Sequence, residues 1–571
     1  MSLRAIADYA LISDCHSAAL VSTDGSIDWL CFPRFDRPSV FGRLVDDRAG
    51  HFSITAADAT EVSRRYRGRT MVMETTFRTP SGVAVLVDAM ALDGRGEAHD
   101  LGAGAPGALL RRIEGREGTV EVEVEYAPRP EYGLIAPLLT GNEAGVAGRG
   151  GADLLLLSAD RAPEIDGATA RFRFSLQAGE SASFCLDHAS AGEGAPRAWD
   201  ATAVADGLKG TVRAWRKWSA AHQAYEGPWA DLVYHSGRVL QALTYQPTGA
   251  VIAAPTTSLP ETVGGERNWD YRYAWVRDAS FTLDALWVAA CPDEARAFFG
   301  WITGAVASGL AEGRDLQIMF GVGGEHDLTE RTLPHLSGWR DSRPVRVGNG
   351  AWNQRQLDVY GELLDAALRL QDQLADLDPA TKRFLIAVVD ASAARWQETD
   401  QGIWEVRDEP RHFVYSKLMC WVALDRGIRL AGLLGAEDRV AEWGGVREEI
   451  RAAILERGWS ERAGAFTQSF GSDDLDASTL MLAIVGFLPA DDPRMIATIE
   501  AIEGRLTDDH GPGVSLPGGR RPARRGGDVP PLHVLAGRGA GPGRSPRAGT
   551  DGVRAGDRVR QRRRLALRGG R

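Results

Sequence analysis

Cysteine is scarce and poorly spaced for chemistry. Cys15, Cys31, Cys185, Cys291 and Cys420 are the only five among 571 residues, odd in number and without a CxxC pair. That spacing argues against a disulfide framework and a thiolate zinc site, and buried thiols are the expectation. His326 and His335 are too isolated to argue for zinc. The GVGG at 321–324 is no phosphate loop, because no Gly-Lys-Ser/Thr follows it. Nothing reaches the roughly 18 consecutive apolar residues of a membrane span. The opening MSLRAIADYALISDCHSAAL is interrupted by Asp and His where a secretory signal would be apolar. The expectation is a cytoplasmic chain with no membrane partner.

Two residue types are missing from one region. Between Gly511 and Arg571 there are fifteen Arg and three Asp, with no Lys and no Glu. The tail's +12 leaves the residues before it at −23, given a total of −11. A chain of 61.6 kDa favours two or more domains with large cores. Its 16 Trp against 8 Met are the one departure from ordinary globular composition.

Up to about Ser190 the pattern is that of strands. GTVEVEVEYAP and ARFRFSLQAG alternate apolar and polar residues, SASFCLDHA is shorter, and Gly, Pro and Asp clusters separate the segments. The expectation is a β-sandwich. From about Thr202 the period becomes helical, in TAVADGLKGTVRAWRKWSAAHQAY, WADLVYHSGRVLQALTY, GELLDAALRLQDQLADL, ATKRFLIAVVDASAARWQ and SKLMCWVALDRGIRLAGLL. Long loops rich in Gly, Trp and Arg separate these helices, and such loops are where chemistry sits.

Three of those loops stand out. SLPETVGGERNWDYRYAWVRDASFTLDALW, Ser258 to Trp287, sets Glu266, Arg267, Asp270, Arg272, Arg277 and Asp278 among Trp269, Tyr271, Tyr273 and Trp275. Charges at this density cannot all be buried unpaired, so they form an ion-pair network or face a polar ligand. Sugars are such ligands, since indoles stack on pyranose faces while carboxylates and guanidinium groups bind the hydroxyls. The alternative is a structural salt-bridge loop. DLQIMFGVGGEHDLTERTLPHLSGWRDSRPVRVGNGAWNQRQLD, Asp315 to Asp358, repeats the vocabulary with Trp339, Arg343, Arg346, Asn349, Trp352 and Gln354. DQGIWEVRDEPRHFVYSK, Asp400 to Lys417, places Glu405 after Trp404 and between Ile403 and Val406. A carboxyl against indole and aliphatic surface has its pKa raised and stays protonated near neutrality, as a general acid must. The alternative there is a glutamate paired with Arg407.

At these stretches the sequence resembles glycoside hydrolase family 15, which contains glucoamylases, glucodextranases and a branch of bacterial trehalases. The N-terminal IADYALISDCHSAALVSTDGSIDWLCFPRFDRPSVFG resembles the sandwich domain of its prokaryotic members. The resemblance runs from about Ile6 to about Gly511. It implies a multidomain β + α chain: an N-terminal β-sandwich over 1–200, a linker helix over 201–235, and an (α/α)6 barrel over 236–511 that is incomplete at its C-terminal end. It also implies inverting hydrolysis of α-glucosidic bonds without metal or organic cofactor, with a saccharide as partner and no nucleic acid. Glu405 falls on the family's general acid. Trp275, Arg277 and Asp278 fall on its glucose-binding Trp-x-Arg-Asp. Arg343 matches an arginine of the same pocket, Arg346 joins it by proximity, and Trp404 precedes the acid. SLPETVGGERNWDYRY, DLQIMFGVGGEHDLTE and GIWEVRDEPRHF look closest to the actinobacterial trehalase branch, with a glucoamylase or isomalto-dextran hydrolase as the alternative.

The family's general base lies near the C-terminus in a Ser-Glu-Glu or Ser-Glu-Gln segment, which this tail lacks. Back-translation with a one-nucleotide shift from Pro512, choosing permitted wobble bases, turns PGVSLP into LVYRYR. The same rule turns GRRPARRGGDVPPLHVLAGRGA into VDGLPGEEGTFLLCTFWLAEAL and QRRRLALRGG into NDVGLLSEEV. All three resemble the family in the right order. Residues 512–571 are therefore read as out of frame, with the base codon straddling Arg568 and Gly569. Two rival readings are a disordered Arg-Gly arm for nucleic acid or an acidic partner, and a sugar-binding protein that has lost turnover.

Overall fold

The computed structural model describes residues 4–222, 225–288, 297–298, 300–302, 304–305, 315–372 and 377–506; Cys291 and the tail 512–571 lie outside them. The alternation seen in the sequence forms the first domain. Val120, Val122 and Val124 are buried while Glu121 and Glu123 are exposed, as the two-residue period of a strand with one wet face requires. These residues belong to Ala108–Ala127, a strand shared by two antiparallel sheets. Its first half pairs with Gly82–Met90 and Ser181–Ser190, and its second half with His51–Ala56 and Thr169–Gln177. The shared strand bridges the sheets, and Phe52, Ile54, Ile113, Val122, Phe172 and Phe184 belong to one buried apolar cluster with it. Within the domain Arg111 and Asp88 form a fully buried ion pair at 2.8 Å.

The helix Ala201–Ala221 leaves this domain with Asp200 capping Ala203 N at 2.7 Å. It packs back on the sheets, and its Trp215 and Trp218 are buried with Met71, Leu92 and Leu101. The helical domain follows. Val276–Val288, Asp358–Arg369 and Val414–Leu434 pack side by side in that order. Sixteen of the 21 residues of Val414–Leu434 are buried, so it is covered nearly all round. Pro379–Arg395 and Val440–Arg457 lie against it and bury far fewer residues. From Asp358 to Arg457 inner helices thus alternate along the chain with outer ones. Two of the inner helices touch backbone to backbone: a Cβ on Gly361 would stand 2.1 Å from Met419 O, so only glycine fits there. Among the described residues no helix is long and apolar enough to cross a membrane.

Candidate active site

The charged loop of the sequence resolves into two separate systems. Asp270 and Arg272 are fully buried and paired with each other at 2.7 Å. Arg277 and Asp278 belong to a different cluster, reached through the two-residue strand Ala274–Trp275, which pairs with Met319–Phe320 and runs straight into Val276–Val288. Arg277 and Asp278 therefore lie in the first turn of that helix. Asp358 opens the neighbouring inner helix. The positive ends of both helix dipoles face this cluster of carboxylates.

One guanidinium organises the cluster. Arg277 donates from Nη1 to Gln356 Oε1 at 2.9 Å and to Asp358 Oδ2 at 3.3 Å, and from Nη2 to Glu405 Oε1 at 3.3 Å. Its Nε stands 3.5 Å from Asp278 Oδ1. Trp275 donates its indole N–H to Glu405 Oε1 at 2.7 Å. Three carboxyl groups thus share one arginine. Asp358 is sealed, whereas Glu405 and Asp278 keep 21% and 43% of their side chains exposed and can meet a ligand.

Burial raises the pKa of Glu405, and the neighbouring Asp278 charge adds to the rise; Arg277 and the Trp275 hydrogen bond oppose it without cancelling it. Asp278 and Asp358 are raised for the same first reason, with Arg277 opposing. Glu405 does not pair with Arg407. Arg407 instead bonds Glu330 at 2.8 Å and stacks 4.0 Å over the Trp269 ring.

The backbone at Glu405 is itself unusual. Its φ is +54°, a conformation few non-glycine residues adopt and one that clusters at working sites. The turn is closed by Glu405 N donating to Gly402 O at 3.1 Å and Val406 N to Gln401 O at 3.2 Å. Gln354 donates to the carbonyls of Glu405 and Val406 at 3.3 Å each. Gly402 has φ +67°, and a Cβ there would strike the Phe413 ring at 2.7 Å. Asp400 ties the loop to the inner helices by accepting from Leu357 N at 2.9 Å, and burial pushes its carboxyl up to about 6.

The structure brings Trp275, Arg277, Asp278 and Glu405 together. Trp404, next to Glu405, turns its indole N–H to Asp476 Oδ2 at 2.7 Å. Arg346 sits in the adjoining Trp269–Glu330–Arg407 cluster, bonding Glu330 at 3.1 Å and lying 4.6 Å over Trp269. Arg343 stands apart: it is exposed, and its Nε donates to Ser337 O at 3.3 Å. Two participants were not among the sequence candidates. Asp358 and Gln356 hold Arg277 from about eighty residues away, with no local pattern to reveal them. Tyr271, four residues before Trp275, has its ring 5.9 Å from that indole. Its phenol is raised first by burial and then by the charges of Glu261, Glu405 and Asp278. Among the described residues no group of three or more His, Cys, Asp or Glu could hold a metal ion.

Comparison with known proteins gives this cluster a setting. A trehalase-like N-terminal family model matches residues 2–166, and the model for glycosyl hydrolases family 15 matches residues 227–525. The chain is 40% identical over 522 residues to a trehalase of Mycolicibacterium smegmatis, a match that covers 88% of this chain and 77% of that one. It is 40% identical over 529 residues to a trehalase of Mycobacterium tuberculosis, with 88% and 76% covered. It is 30% identical over 506 residues to a trehalase of Thermoplasma volcanium, with 88% and 79% covered. A bacterial glucoamylase complexed with acarbose superposes with a TM-score of 0.64 at 12% identity over 89% of this chain and 80% of that one. That likeness shows the fold, a β domain followed by an (α/α)6 barrel. With its family match, its relatives and its fold in agreement, the chain belongs to glycosyl hydrolases family 15.

Proposed function

We propose that the chain's activity is the inverting hydrolysis of α,α-trehalose to glucose, with Glu405 as the general acid. The observation that carries this reading is the setting of Glu405: a partly exposed carboxyl, raised by burial, held by Trp275 at 2.7 Å and Arg277 at 3.3 Å. Protonated, it donates to the glycosidic oxygen as the C–O bond breaks. Inversion requires a second carboxylate about 6.5–9.5 Å away to take a proton from the attacking water. That base is assigned to the shifted frame of the tail, outside the described residues. Asp278 and Arg277 are the ligands for the sugar hydroxyls, with Tyr271 supplying aromatic surface and Trp275, 2% exposed, packed behind it as the donor that holds Glu405. Arg346 and the Trp269 stack flank the acid's loop and suit the leaving-group side. Trehalose is chosen over maltose and isomaltose because the curated relatives that match over most of this chain are trehalases, two at 40% identity.

The test is glucose release from trehalose, maltose and isomaltose by a version of the chain with its frame restored after Gly511. Preference for trehalose supports the proposal, and preference for maltose or isomaltose refutes the substrate. A second reading, saccharide binding without turnover, follows for the chain as it stands from the absence of glutamate between Gly511 and Arg571. Calorimetric binding of trehalose without glucose release distinguishes it.

A further inference from the structure

The segment that carries Trp275 and Arg277 also reaches the other domain. In its extended run Tyr271 and Trp275 turn toward Glu405, while Asp270 and Arg272 turn toward the β-sandwich. Arg272 is buried completely, and each of its five N–H donors has an acceptor. Nε meets Asp270 Oδ1 at 2.9 Å, and Nη2 meets Asp270 Oδ2 at 2.7 Å and the Tyr132 hydroxyl at 2.9 Å. Nη1 meets Arg37 O at 2.8 Å and Cys31 Sγ at 3.7 Å. Three of these acceptors belong to the sandwich.

Asp270 passes the constraint on. Its Oδ2 accepts from Gly348 N at 3.2 Å, and its carbonyl accepts from the Asn349 side chain at 3.2 Å. One ion pair therefore fixes the 270–277 run and the segment that follows Arg346. The sandwich delivers its part through a strained turn. Glu131 and Tyr132 both have positive φ, +53° and +59°, and the Tyr132 ring, 4% exposed, lies 5.4 Å under the Arg272 guanidinium. Two consecutive non-glycine residues in that region persist only where the surroundings dictate them.

We infer that the β-sandwich is a working part of the active site, with Tyr132 and Arg272 as positioning residues that set Trp275 and Arg277 against Glu405. This rests on the saccharide reading above for its functional consequence but not for the clamp itself. Tyr132→Phe removes one hydrogen bond and keeps the ring, and Arg272→Lys keeps the charge but offers three donors in place of the five that are all used here. Asp88→Asn, which breaks a buried ion pair inside the sandwich, is the control for stability loss alone.

The measurements are backbone hydrogen exchange over 269–278 and acarbose affinity by calorimetry, on the full chain and the three variants. Tyr132→Phe is expected to speed exchange in 269–278 and weaken acarbose about fivefold, the loss of one modest hydrogen bond. Arg272→Lys is expected to do more. Asp88→Asn is expected to lower the Tm with neither change. Unaltered exchange and affinity in Tyr132→Phe would overturn the inference. So would a loss of acarbose affinity in Asp88→Asn as large as that in Tyr132→Phe. Faster exchange in a chain that binds neither acarbose nor trehalose would retain the clamp and overturn the saccharide reading.

Discussion

Replacing Glu405 with Gln isolates the proton from everything else the side chain does. Glu405 Oε1 accepts from Trp275 Nε1 at 2.7 Å and Arg277 Nη2 at 3.3 Å. A glutamine carbonyl accepts both, so the loop and the sugar ligands keep their places. The lost step is proton donation, which is worth about 10²–10⁴ in rate. At 1.36 kcal/mol per decade that is about 2.7–5.4 kcal/mol on the barrier. In the frame-restored chain kcat on trehalose should fall by that factor with KM little changed. The acid works protonated, so kcat/KM should be full below the raised pKa of Glu405 and fall as pH rises through it. That alkaline limb should vanish in Glu405→Gln. α-Glucosyl fluoride, whose leaving group needs little protonation, should lose far less than trehalose does. Stability offers a second readout of the same group. A carboxyl whose folded pKa is raised stabilises the fold fully below its unfolded pKa and loses that contribution as pH rises through the folded value. Urea unfolding of Glu405→Gln should therefore weaken less between mildly acidic and neutral pH than that of the parent. A variant with kcat on trehalose within tenfold of the parent, or one that keeps the alkaline limb, would refute the role.

Trp275→Phe removes the indole donor that lowers the carboxyl's pKa, so the alkaline limb should move to higher pH. The rate should drop about tenfold, the worth of one hydrogen bond to a charged group. An unmoved limb in the pH profile would contradict the assignment. Gly402→Ala forces a Cβ into a positive-φ position and against the Phe413 ring. It should cost about 1–2 kcal/mol in urea denaturation and reduce kcat together with stability. Arg111→Leu strands Asp88 in the sandwich interior and should cost about 3–5 kcal/mol, read as a lower denaturation midpoint.

Legibility followed the range over which each feature is determined. Val120, Val122 and Val124 announce their strand because alternation is local, and Trp215 and Trp218 fall on one face of a helix for the same reason. Glu405 stands out in the sequence beside Ile403, Trp404 and Val406, but the indole that meets it is that of Trp275, 130 residues away, while Trp404 turns to Asp476. Asp358 was not, because its partner Arg277 is 81 residues away and nothing local marks an aspartate that will be sealed beneath an arginine. Asp270 and Arg272 look like Arg277 and Asp278 in composition. Only the packing shows that one pair reaches the sandwich and the other joins the Glu405 cluster. Arg343 and Arg346 share one short motif, yet the chain separates them: one is exposed, and the other stacks on Trp269.

The proposed trehalose-hydrolysing site has Glu405 as its acid and a base encoded out of frame. Glucose release from trehalose should be measured for the chain as it stands and for the version restored after Gly511, side by side. Turnover is expected in the restored chain, with a rate lower by at least about 10² in the other, the cost of a lost general base. Equal turnover by both would place the base within the first 511 residues and contradict the reading of the tail.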